Sequence, residues 1–501
     1  MCLNGNCFSF SNYAGKKVAV FISGPGYLEF PWALETASRL KDEGAEVTVF
    51  DLSDFASPYA MRIRIPGILL PIKSRRILRC IFLKGEYRIE NLVKNVCQGK
   101  GINYERSRIS QPSYYQGGLT QLNSLKGQKW GNLDAFKIAQ STLSSFEKRK
   151  LGSTDFVSNN MICNIKFAVQ QIQLEVSRVK QLNFDAAFLA NGRQPTQAAI
   201  TLGFRNSGTN VILYEAGGGY IHPTYLKKRL DYFLSSPANS TELREKIMCE
   251  SNFQKGNLDL AFKVQEKVRT RSLIPYTLNY LTDQPLTFEK DRSRSGRDLA
   301  FFSTSEWEIS ILHDEFEVAV ENAGFPSQIA AVQAIVELMQ ENDRLYLRLH
   351  PSDPGNHSEA ESKWNIFKNN PKVIVFPTSS RVNSYEIAEQ MDANFVWASF
   401  LGFELALREI PVAVLGDAIF ASCFQDNWIK TRFDLEKFMS KPKLVSRDLL
   451  IYYSNYLAVG GFEIAESNTD EDRNIKIGNI SVDSPRPFFS LLPKKWIRAI
   501  S

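Results

Sequence analysis

LYLRLHP at Leu345–Pro351 and KVIVFPTSSRVNSYEIAEQMDANFVWASFLGFELALREIPVAVLGDAIF at Lys372–Phe420 together decide the fold. Their hydrophobic periodicity predicts strands alternating with helices. The strands are expected at 345–349, 373–376, 394–398 and 411–415, and the helices at 384–391 and 401–408. This pattern is typical of a βαβαβ half of a doubly wound sheet, in which ligands bind outside the carboxyl ends of the strands. Polar or small residues fall at those ends, namely His350, Thr378, Ser379, Ser380, Ser399, Gly416 and Asp417.

The helix expected at 401–408 begins beside Ser399 and carries Gly402 in its first turn. Free backbone N–H groups at a helix start, together with the helix dipole, favour a phosphate group. Glu404 lies near the same end, and its carboxylate is an acceptor for two vicinal hydroxyls of a ribose. These residues predict a nucleotide site in the crevice.

Five runs carry a resemblance to a known family. They are FFSTSEWE at 301–308, SQIAAVQAIVELM at 327–339, LRLHP at 347–351, SYEIAEQMD at 384–392 and WASFLGFELALREIPVAVLG at 397–416. Together they resemble the C-terminal half of GT-B glycosyltransferases of capsular and surface polysaccharide biosynthesis, a group that includes bacterial Kdo transferases with an HP motif and a Ser-rich motif. The resemblance covers residues 298–420. Relatives tend to carry a second hydroxyl residue after the serine matched by Ser399, where this chain has Phe400.

The resemblance implies an α/β protein of the GT-B class, with two Rossmann-like doubly wound domains facing each other across a cleft. We expect an acceptor domain with excursions at 1–290, a nucleotide-sugar donor domain at 291–430, and C-terminal helices with a basic-aromatic tail at 431–501. The implied activity is transfer of a sugar from a nucleotide-activated donor to a growing surface glycan or a lipid-linked acceptor. The predicted donor-binding residues are Ser303, Thr304, Ser305, Arg348, His350, Pro351, Ser399, Gly402 and Glu404.

Composition agrees with such an enzyme. The chain has 501 residues, enough for two or three domains, and 44% of them are hydrophobic and 23% charged. Sixty Lys and Arg against 54 Asp and Glu leave a net charge of +6, which permits contact with a nucleotide or anionic lipid and does not indicate nucleic acid. The seven cysteines form no CxxC pair, and no signal peptide or 18-residue apolar run is visible. We therefore expect a cytoplasmic protein, with association with the inner face of the plasma membrane left open.

The N-terminal half begins with another mononucleotide-type unit. A strand is expected at 17–23, a helix at 31–43 and a strand at 46–51, with the loop Gly24-Pro25-Gly26-Tyr27 after the first strand. Gly24, Gly26 and Tyr27 are expected to form a tight turn that shapes the cleft, and a direct phosphate cradle is the alternative.

A second unit contains strands expected at 184–189 and 210–214 and a helix at 196–202. Asn191, Gly192 and Arg193 follow the first of these strands and are assigned to the acceptor side of the cleft, Arg193 either as an anion clamp or as a solvated ion-pair partner. An inverting transfer needs a general base for the acceptor hydroxyl. Glu215, which precedes three glycines, and Glu29, beside the GPGY loop, are the two candidates, and a structural role is the alternative for Glu215.

Four further segments have open interpretations. Residues 65–83 are expected either to lie on a membrane surface or to form a buried strand and loop. Residues 484–501 are expected either to anchor the chain at a membrane interface or to pack against the rest of the protein. Residues 99–153 are expected to form excursions and helices on the surface of the first domain. Thr287–Arg297 is expected to be a hinge between domains.

No DxD motif lies at a strand end, so we expect a metal-independent enzyme without a cofactor, the nucleotide sugar being its substrate. One alternative is a nucleotide-sugar 2-epimerase, which shares the two-Rossmann architecture. The other is a non-catalytic nucleotide-binding scaffold of a polysaccharide assembly complex.

Overall fold

The computed structural model describes residues 8–23, 29–52, 91, 93–107, 118–131, 133–147, 155–190, 195–216, 229–234, 240–248, 258–270, 287–290, 293, 295–304, 324–351, 363–463, 467–469, 475–477 and 480–482. The strands are β1 Lys17–Ile22, β2 Glu46–Asp51, β3 Asn103–Arg106, β4 Leu119–Gln121, β5 Lys129–Trp130, β6 Leu133–Asp134, β7 Phe156–Ser158, β8 Ala186–Ala190, β9 Asn210–Ala216, β10 Arg229–Phe233, β11 Asp298–Phe302, β12 Arg344–Arg348, β13 Val373–Phe376, β14 Ala393–Val396, β15 Val412–Val414, β16 Phe462–Glu463, β17 Ser467–Thr469, β18 Ile475–Ile477 and β19 Ile480–Val482.

The helices surround these strands. They are α1 Glu29–Asp42, α2 Ala135–Glu147, α3 Asn159–Lys180, α4 Pro195–Arg205, α5 Ser240–Met248, α6 Leu258–Arg269, α7 Gln328–Leu338, α8 Ser384–Glu389, α9 Leu401–Leu407, α10 Arg432–Ser440 and α11 Arg447–Val459. Short 3-10 helices lie at Phe10–Tyr13, Leu122–Leu125, Lys363–Phe367 and Ala421–Asn427. No helix among the described residues has the length and hydropathy needed to cross a membrane.

The N-terminal domain contains a seven-stranded sheet of order β16-β10-β9-β8-β1-β2-β3. The five strands from β9 to β3 are parallel, and β10 is antiparallel to both of its neighbours. Because both faces of a parallel sheet are covered, its strands are apolar on both sides. In β1, Ala19 and Phe21 enter one core cluster, while Val18, Val20 and Ile22 enter the cluster on the other face.

The C-terminal domain contains a five-stranded, all-parallel sheet of order β13-β12-β11-β14-β15. Leu299 and Phe301 of β11 pack into one core cluster, and Ala300 and Phe302 pack into another. The predicted α/β class with two Rossmann-like doubly wound domains is confirmed.

Among the described residues, the chain passes between the two domains at two points. After β10, helices α5 and α6 bury Leu243, Ile247, Val264 and Val268 in a cluster that also contains Tyr453 of α11 and the apolar face of the C-terminal sheet. After α11, strand β16 returns to the N-terminal sheet and pairs with β10, with Phe462 opposite Leu230. Gly461 sits at this crossing with φ +79°, and a Cβ there would lie 2.4 Å from the Leu230 carbonyl oxygen. The three predicted domain ranges remain a prediction.

Two expectations from the sequence are wrong in detail. Residues 99–153 are not confined to the surface, because β3 joins the main sheet and Leu122, Trp130 and Ile138 are buried against it. The connector Thr287–Arg297 lies against the C-terminal domain in its described part: Phe288 N–H donates to Glu386 Oε2 at 2.9 Å, and the Arg297 guanidinium pairs with Asp343 at 2.5 Å. Polar composition suggested a hinge between the domains, and the described polar groups of this connector form tertiary hydrogen bonds to the C-terminal domain.

The other predicted elements are present with ends shifted by a few residues. The segments 65–83 and 484–501 lie outside the described residues.

Candidate functional site

The order of the C-terminal sheet places a crevice at its centre. β11 lies between β12 and β14, and the chain proceeds from β11 to β12 and β13 on one side, then to β14 and β15 on the other. Such a reversal of strand order is the topological switch point at which doubly wound sheets bind ligands. The predicted donor residues Ser303, Thr304, His350 and Ser399 follow the three central strands at this point.

Hydrogen bonds join the three strand ends to one another. The Ser303 hydroxyl oxygen accepts from the His350 N–H at 2.8 Å, which links β11 to β12. The Thr304 hydroxyl oxygen accepts from the Ala398 N–H at 3.2 Å, which links β11 to β14 across the switch point. Ser303 is buried, and Thr304 is half-buried. These two hydroxyl residues therefore fix the loops that border the crevice.

Gln328, which was not among the predicted site residues, fixes the backbone of Thr304 with two hydrogen bonds. The Thr304 N–H donates to Gln328 Oε1 at 2.8 Å, and Gln328 Nε2 donates to the Thr304 carbonyl at 2.9 Å. Gln328 is the first residue of α7 and is 1% exposed, and Ser327 caps that helix by accepting from the Ala330 N–H. A signal was present in SQIAAVQ, where a polar residue directly after a Ser cap begins an otherwise apolar helix.

Arg348 is buried beneath the loop that follows β13, and this differs from the expected contact with donor phosphate. Its guanidinium donates to the carbonyls of Leu349, Pro377 and Ser380 at 3.0, 2.7 and 2.9 Å. Burial lowers the pKa of Arg348 to about 10, so the side chain is charged at neutral pH. The hydrogen bonds to these three carbonyl groups stabilise the loop beside the crevice.

His350 is half-buried next to Arg348, and Pro351 follows it. Burial and then the charge of Arg348 lower the pKa of His350 to about 4. At neutral pH the imidazole is therefore uncharged, with one N–H donor and one nitrogen acceptor. It is suited to a single hydrogen bond with a phosphate oxygen, and not to the ion pair that a charged histidine would form.

The start of α9 differs from the expectation of free N–H groups. The N–H groups of Gly402, Phe403 and Glu404 already donate to the carbonyls of Ser399 and Phe400, at 3.0 to 3.2 Å. Phe400 has helical backbone angles at the cap position, so the chain enters the helix through a tight turn that uses these donors. The Ser399 hydroxyl oxygen accepts from the Leu401 N–H at 3.4 Å, and Ser399 is half-buried at the edge of the crevice.

Gly402 and Glu404 also have packing partners. A Cβ on Gly402 would lie 2.6 Å from Val396 Cγ2, so the glycine allows α9 to approach β14 closely. Glu404 is 5% exposed, and its Oε2 accepts from the Tyr385 hydroxyl at 2.8 Å. Glu404 was expected to face a ribose across the crevice, whereas its carboxylate lies between α9 and α8.

Asp417, which follows β15, forms an ion pair with Arg244 of α5. Arg244 also lies over the Trp428 ring, 5.0 Å from its centroid. This buried pair attaches the first helix after the N-terminal sheet to the C-terminal domain, so Asp417 has a tertiary partner.

The carboxyl edge of the N-terminal sheet has the same order of strands, with β1 between β2 and β8. Ser23 follows β1, and its carbonyl accepts from the Thr196 hydroxyl at 3.2 Å. Gly24, Gly26, Tyr27, Asn191, Gly192, Arg193 and Ser305 lie outside the described residues.

The two candidate bases lie on regular elements. Glu215 belongs to β9, opposite Asp231 of β10, and is half-buried, whereas the sequence had placed it after the strand. Glu29 is the first residue of α1. Both lie near the carboxyl edge of the N-terminal sheet. Their roles as general bases remain predictions. Within the described residues, no group of three His, Cys, Asp or Glu side chains is arranged to hold a metal ion.

No protein-family model matches the sequence, and no curated protein matches it either. Among solved structures, the chain is similar to the KpsC beta Kdo 2,7 transferase of Thermosulfurimonas dismutans, with 14% identity over 56% of this chain and 80% of that one and a TM-score of 0.34. It is also similar to a UDP-GlcNAc 2-epimerase of Methanocaldococcus jannaschii, with 9% identity, 95% and 99% coverage and a TM-score of 0.27. MurG of Acinetobacter baumannii gives 12% identity, 89% and 96% coverage and a TM-score of 0.21. Each value describes similarity alone, and the fold of this chain follows from its own sheets.

Proposed function

We propose that the chain is a glycosyltransferase that takes a sugar from a nucleotide-activated donor bound at the switch point of the C-terminal sheet. The observation that carries the proposal is the set of hydrogen bonds among Ser303, Thr304, His350 and Ala398, which joins three strand ends around one crevice. A site whose loops are fixed before binding loses little entropy when a ligand binds. The resemblance of residues 298–420 to polysaccharide glycosyltransferases supplies the reaction class, bacterial surface or capsule glycan synthesis.

His350 is the residue most directly suited to the donor. Its neutral imidazole is half-buried at the end of β12, with its backbone fixed by Ser303. A hydrogen bond from this ring to a phosphate oxygen would strengthen as the bond between sugar and nucleotide breaks and charge accumulates on the leaving nucleotide. Arg348 acts through the loop that it holds and through its positive field, since its Nη groups already donate to carbonyls.

The acceptor would bind on the N-terminal domain, with its hydroxyl opposite the departing nucleotide. Glu215 or Glu29 would take the proton from that hydroxyl, and positioning of the two substrates would supply much of the rate acceleration. A glycan or a lipid-linked acceptor and a cytoplasmic location, with contact to the inner membrane face, belong to the same proposal.

Thermal unfolding with CMP, UDP, GDP and dTDP tests the donor site. A nucleotide that binds the native state raises the melting temperature by mass action. We expect one nucleotide to stabilise the wild type, His350→Ala and Ser399→Ala to reduce the shift, and the exposed control Ser440→Ala to retain it. Absence of a shift with all four nucleotides would contradict a nucleotide-sugar enzyme.

Product analysis then separates the transferase from the 2-epimerase. Incubation with the matching nucleotide sugar and no acceptor should leave the configuration at C2 of the sugar unchanged, as judged by NMR. Inversion at C2 would replace the transferase proposal with the epimerase, and binding without any turnover in the presence of acceptor glycans would favour the scaffold.

A further inference from the structure

The outer face of α10 and the segment that follows it carry a concentration of positive charge. Between residues 430 and 444 the chain has five basic residues, Lys430, Arg432, Lys437, Lys441 and Lys443, and two acidic ones, Asp434 and Glu436. This excess of three is half of the net charge of +6 of the whole chain. The region therefore has a local excess of positive charge.

Two large apolar side chains are exposed on the same region. Phe433 is 72% exposed and Leu444 is 55% exposed. The inner face of α10 packs Leu435, Phe438 and Met439 into the core of the C-terminal domain, so the outward direction of Phe433 is fixed by the helix. Phe433 is thus part of a defined surface and not of an unpacked end.

Ion pairing leaves part of the positive charge unneutralised. Arg432 pairs with Glu337 at 2.5 Å, and Lys443 lies 3.4 Å from Asp426. Lys437 and Lys441 have no ion pair with any residue that the structure describes. Together with Lys443 they line one shallow surface pocket, whose other lining residues are Asp426, Asn427, Asp434 and Phe438. The carboxylate of Asp434 accepts from the Thr431 hydroxyl at 2.8 Å, at the start of the helix.

We propose that this basic-aromatic surface, formed by Phe433, Lys437, Lys441, Lys443 and Leu444, binds the surface of an anionic membrane. Phe and Leu side chains enter the boundary between head groups and acyl chains, while lysine ammonium groups remain at the level of the lipid phosphates. Basic residues beside apolar ones match both layers of such an interface, and the charge attracts anionic lipids specifically. The proposal assigns a surface to the membrane contact of the proposed function. It uses no residue of the nucleotide site, so failure of vesicle binding and failure of nucleotide binding can be distinguished.

The test is co-sedimentation of the full chain with lipid vesicles. One vesicle type mixes phosphatidylglycerol with phosphatidylcholine, and the other contains phosphatidylcholine alone. Two double variants alter the surface: Lys437→Glu with Lys441→Glu, and Phe433→Ser with Leu444→Ser. The matched control is Ile366→Ser with Lys368→Glu, which changes an exposed apolar residue and an exposed lysine elsewhere on the C-terminal domain.

We expect the wild type and the control to bind the phosphatidylglycerol vesicles in preference to the neutral ones. The lysine variant should bind at least about tenfold more weakly, and the apolar variant should be weakened as well. Unchanged melting temperatures would show that both variants are folded, and each variant tests the surface if the other fails to fold. Equal binding by wild type and both variants, an equal loss in the control, or no binding of wild type to the anionic vesicles would overturn the proposal. The last result would leave an acidic protein as the partner to examine.

Discussion

The two sheets share an order of their parallel strands, but among the described residues the carboxyl ends of the central strands are held by different contacts. In the C-terminal sheet, Ser303, Thr304, Gln328 and Arg348 tie β11 to both neighbours and to the loops above them. In the N-terminal sheet, the described contacts at the corresponding edge include a bond of 3.2 Å from the Thr196 hydroxyl to the Ser23 carbonyl and a bond of 2.8 Å from the Tyr104 hydroxyl to Asp51 Oδ2. The C-terminal edge is therefore organised by buried side chains before any ligand arrives.

This difference fits a division of roles between donor and acceptor. Buried polar side chains that are hydrogen-bonded hold a site in one geometry, which suits a ligand of constant chemistry such as a nucleotide. Substitution of the buried polar groups, followed by measurement of the free energy of unfolding, gives the stability that each edge derives from them.

Loss of Arg348 should have the largest effect. Arg348→Met leaves the carbonyls of Leu349, Pro377 and Ser380 without their donor, and we expect a loss of about 3 kcal/mol in the free energy of unfolding. Arg447→Met, which removes an exposed pair with Glu409, is the control and should cost under about 0.5 kcal/mol. Urea denaturation measures both values. Similar costs for the two variants would mean that the buried guanidinium does not organise the edge.

Gln328→Met should come next, at about 2 kcal/mol. The substitution keeps the length of the side chain but removes both partners of the Thr304 backbone. Gln333→Met, at an exposed position of the same helix, should leave stability within about 0.5 kcal/mol of the wild type. The same denaturation experiment distinguishes them, and a neutral Gln328→Met would show that Thr304 is held by other contacts.

Lowering the pH should reduce the free energy of unfolding through protonation of His350. Because its pKa is about 4 in the folded protein and 6.5 in an unperturbed chain, the unfolded state takes up the proton first as the pH falls. This contribution to stability is complete above about pH 6.5 and is lost between pH 6.5 and pH 4. We expect it to amount to about 1–2 kcal/mol, since the ring is only half-buried. His350→Gln should remove this part of the pH dependence, and an unchanged profile would contradict the assignment.

The smallest effect is expected at the N-terminal edge. Thr196→Val removes one hydrogen bond, to the Ser23 carbonyl, and should cost about 1 kcal/mol. If Thr196→Val and Arg348→Met lost equal amounts of unfolding free energy, the proposed difference between the two edges would be contradicted.

The fold could be predicted from the sequence because parallel strands that are buried on both faces form continuous apolar runs in it. VIVF at 373–376 is a strand with the predicted ends, and EVTVFD at 46–51 is another. β10 was not predicted, because its sequence RLDYF mixes charged and apolar residues. Its Asp231 is buried, with Lys246 and Tyr456 as hydrogen-bond partners. Composition does not encode such tertiary partners.

The position of the candidate site was also predictable, whereas the directions of its side chains were not. Strand ends determine which residues meet at the switch point, so the positions of Ser303, Thr304, His350 and Ser399 followed from the sequence, and their contact with a donor remains a prediction. Whether Arg348 or Glu404 faces the crevice depends on partners far along the chain, such as Ser380 and Tyr385. Sequence spacing alone does not provide that information.

The most direct test of the account is hydrogen exchange measured by mass spectrometry, with and without the nucleotide that gives the largest thermal stabilisation. Binding at the switch point of the C-terminal sheet should slow exchange in segments 299–304, 345–351 and 396–402, and leave segment 186–190 of the N-terminal sheet unchanged. Protection confined to the N-terminal segment, with none at the three C-terminal ones, would contradict the assignment of the donor site.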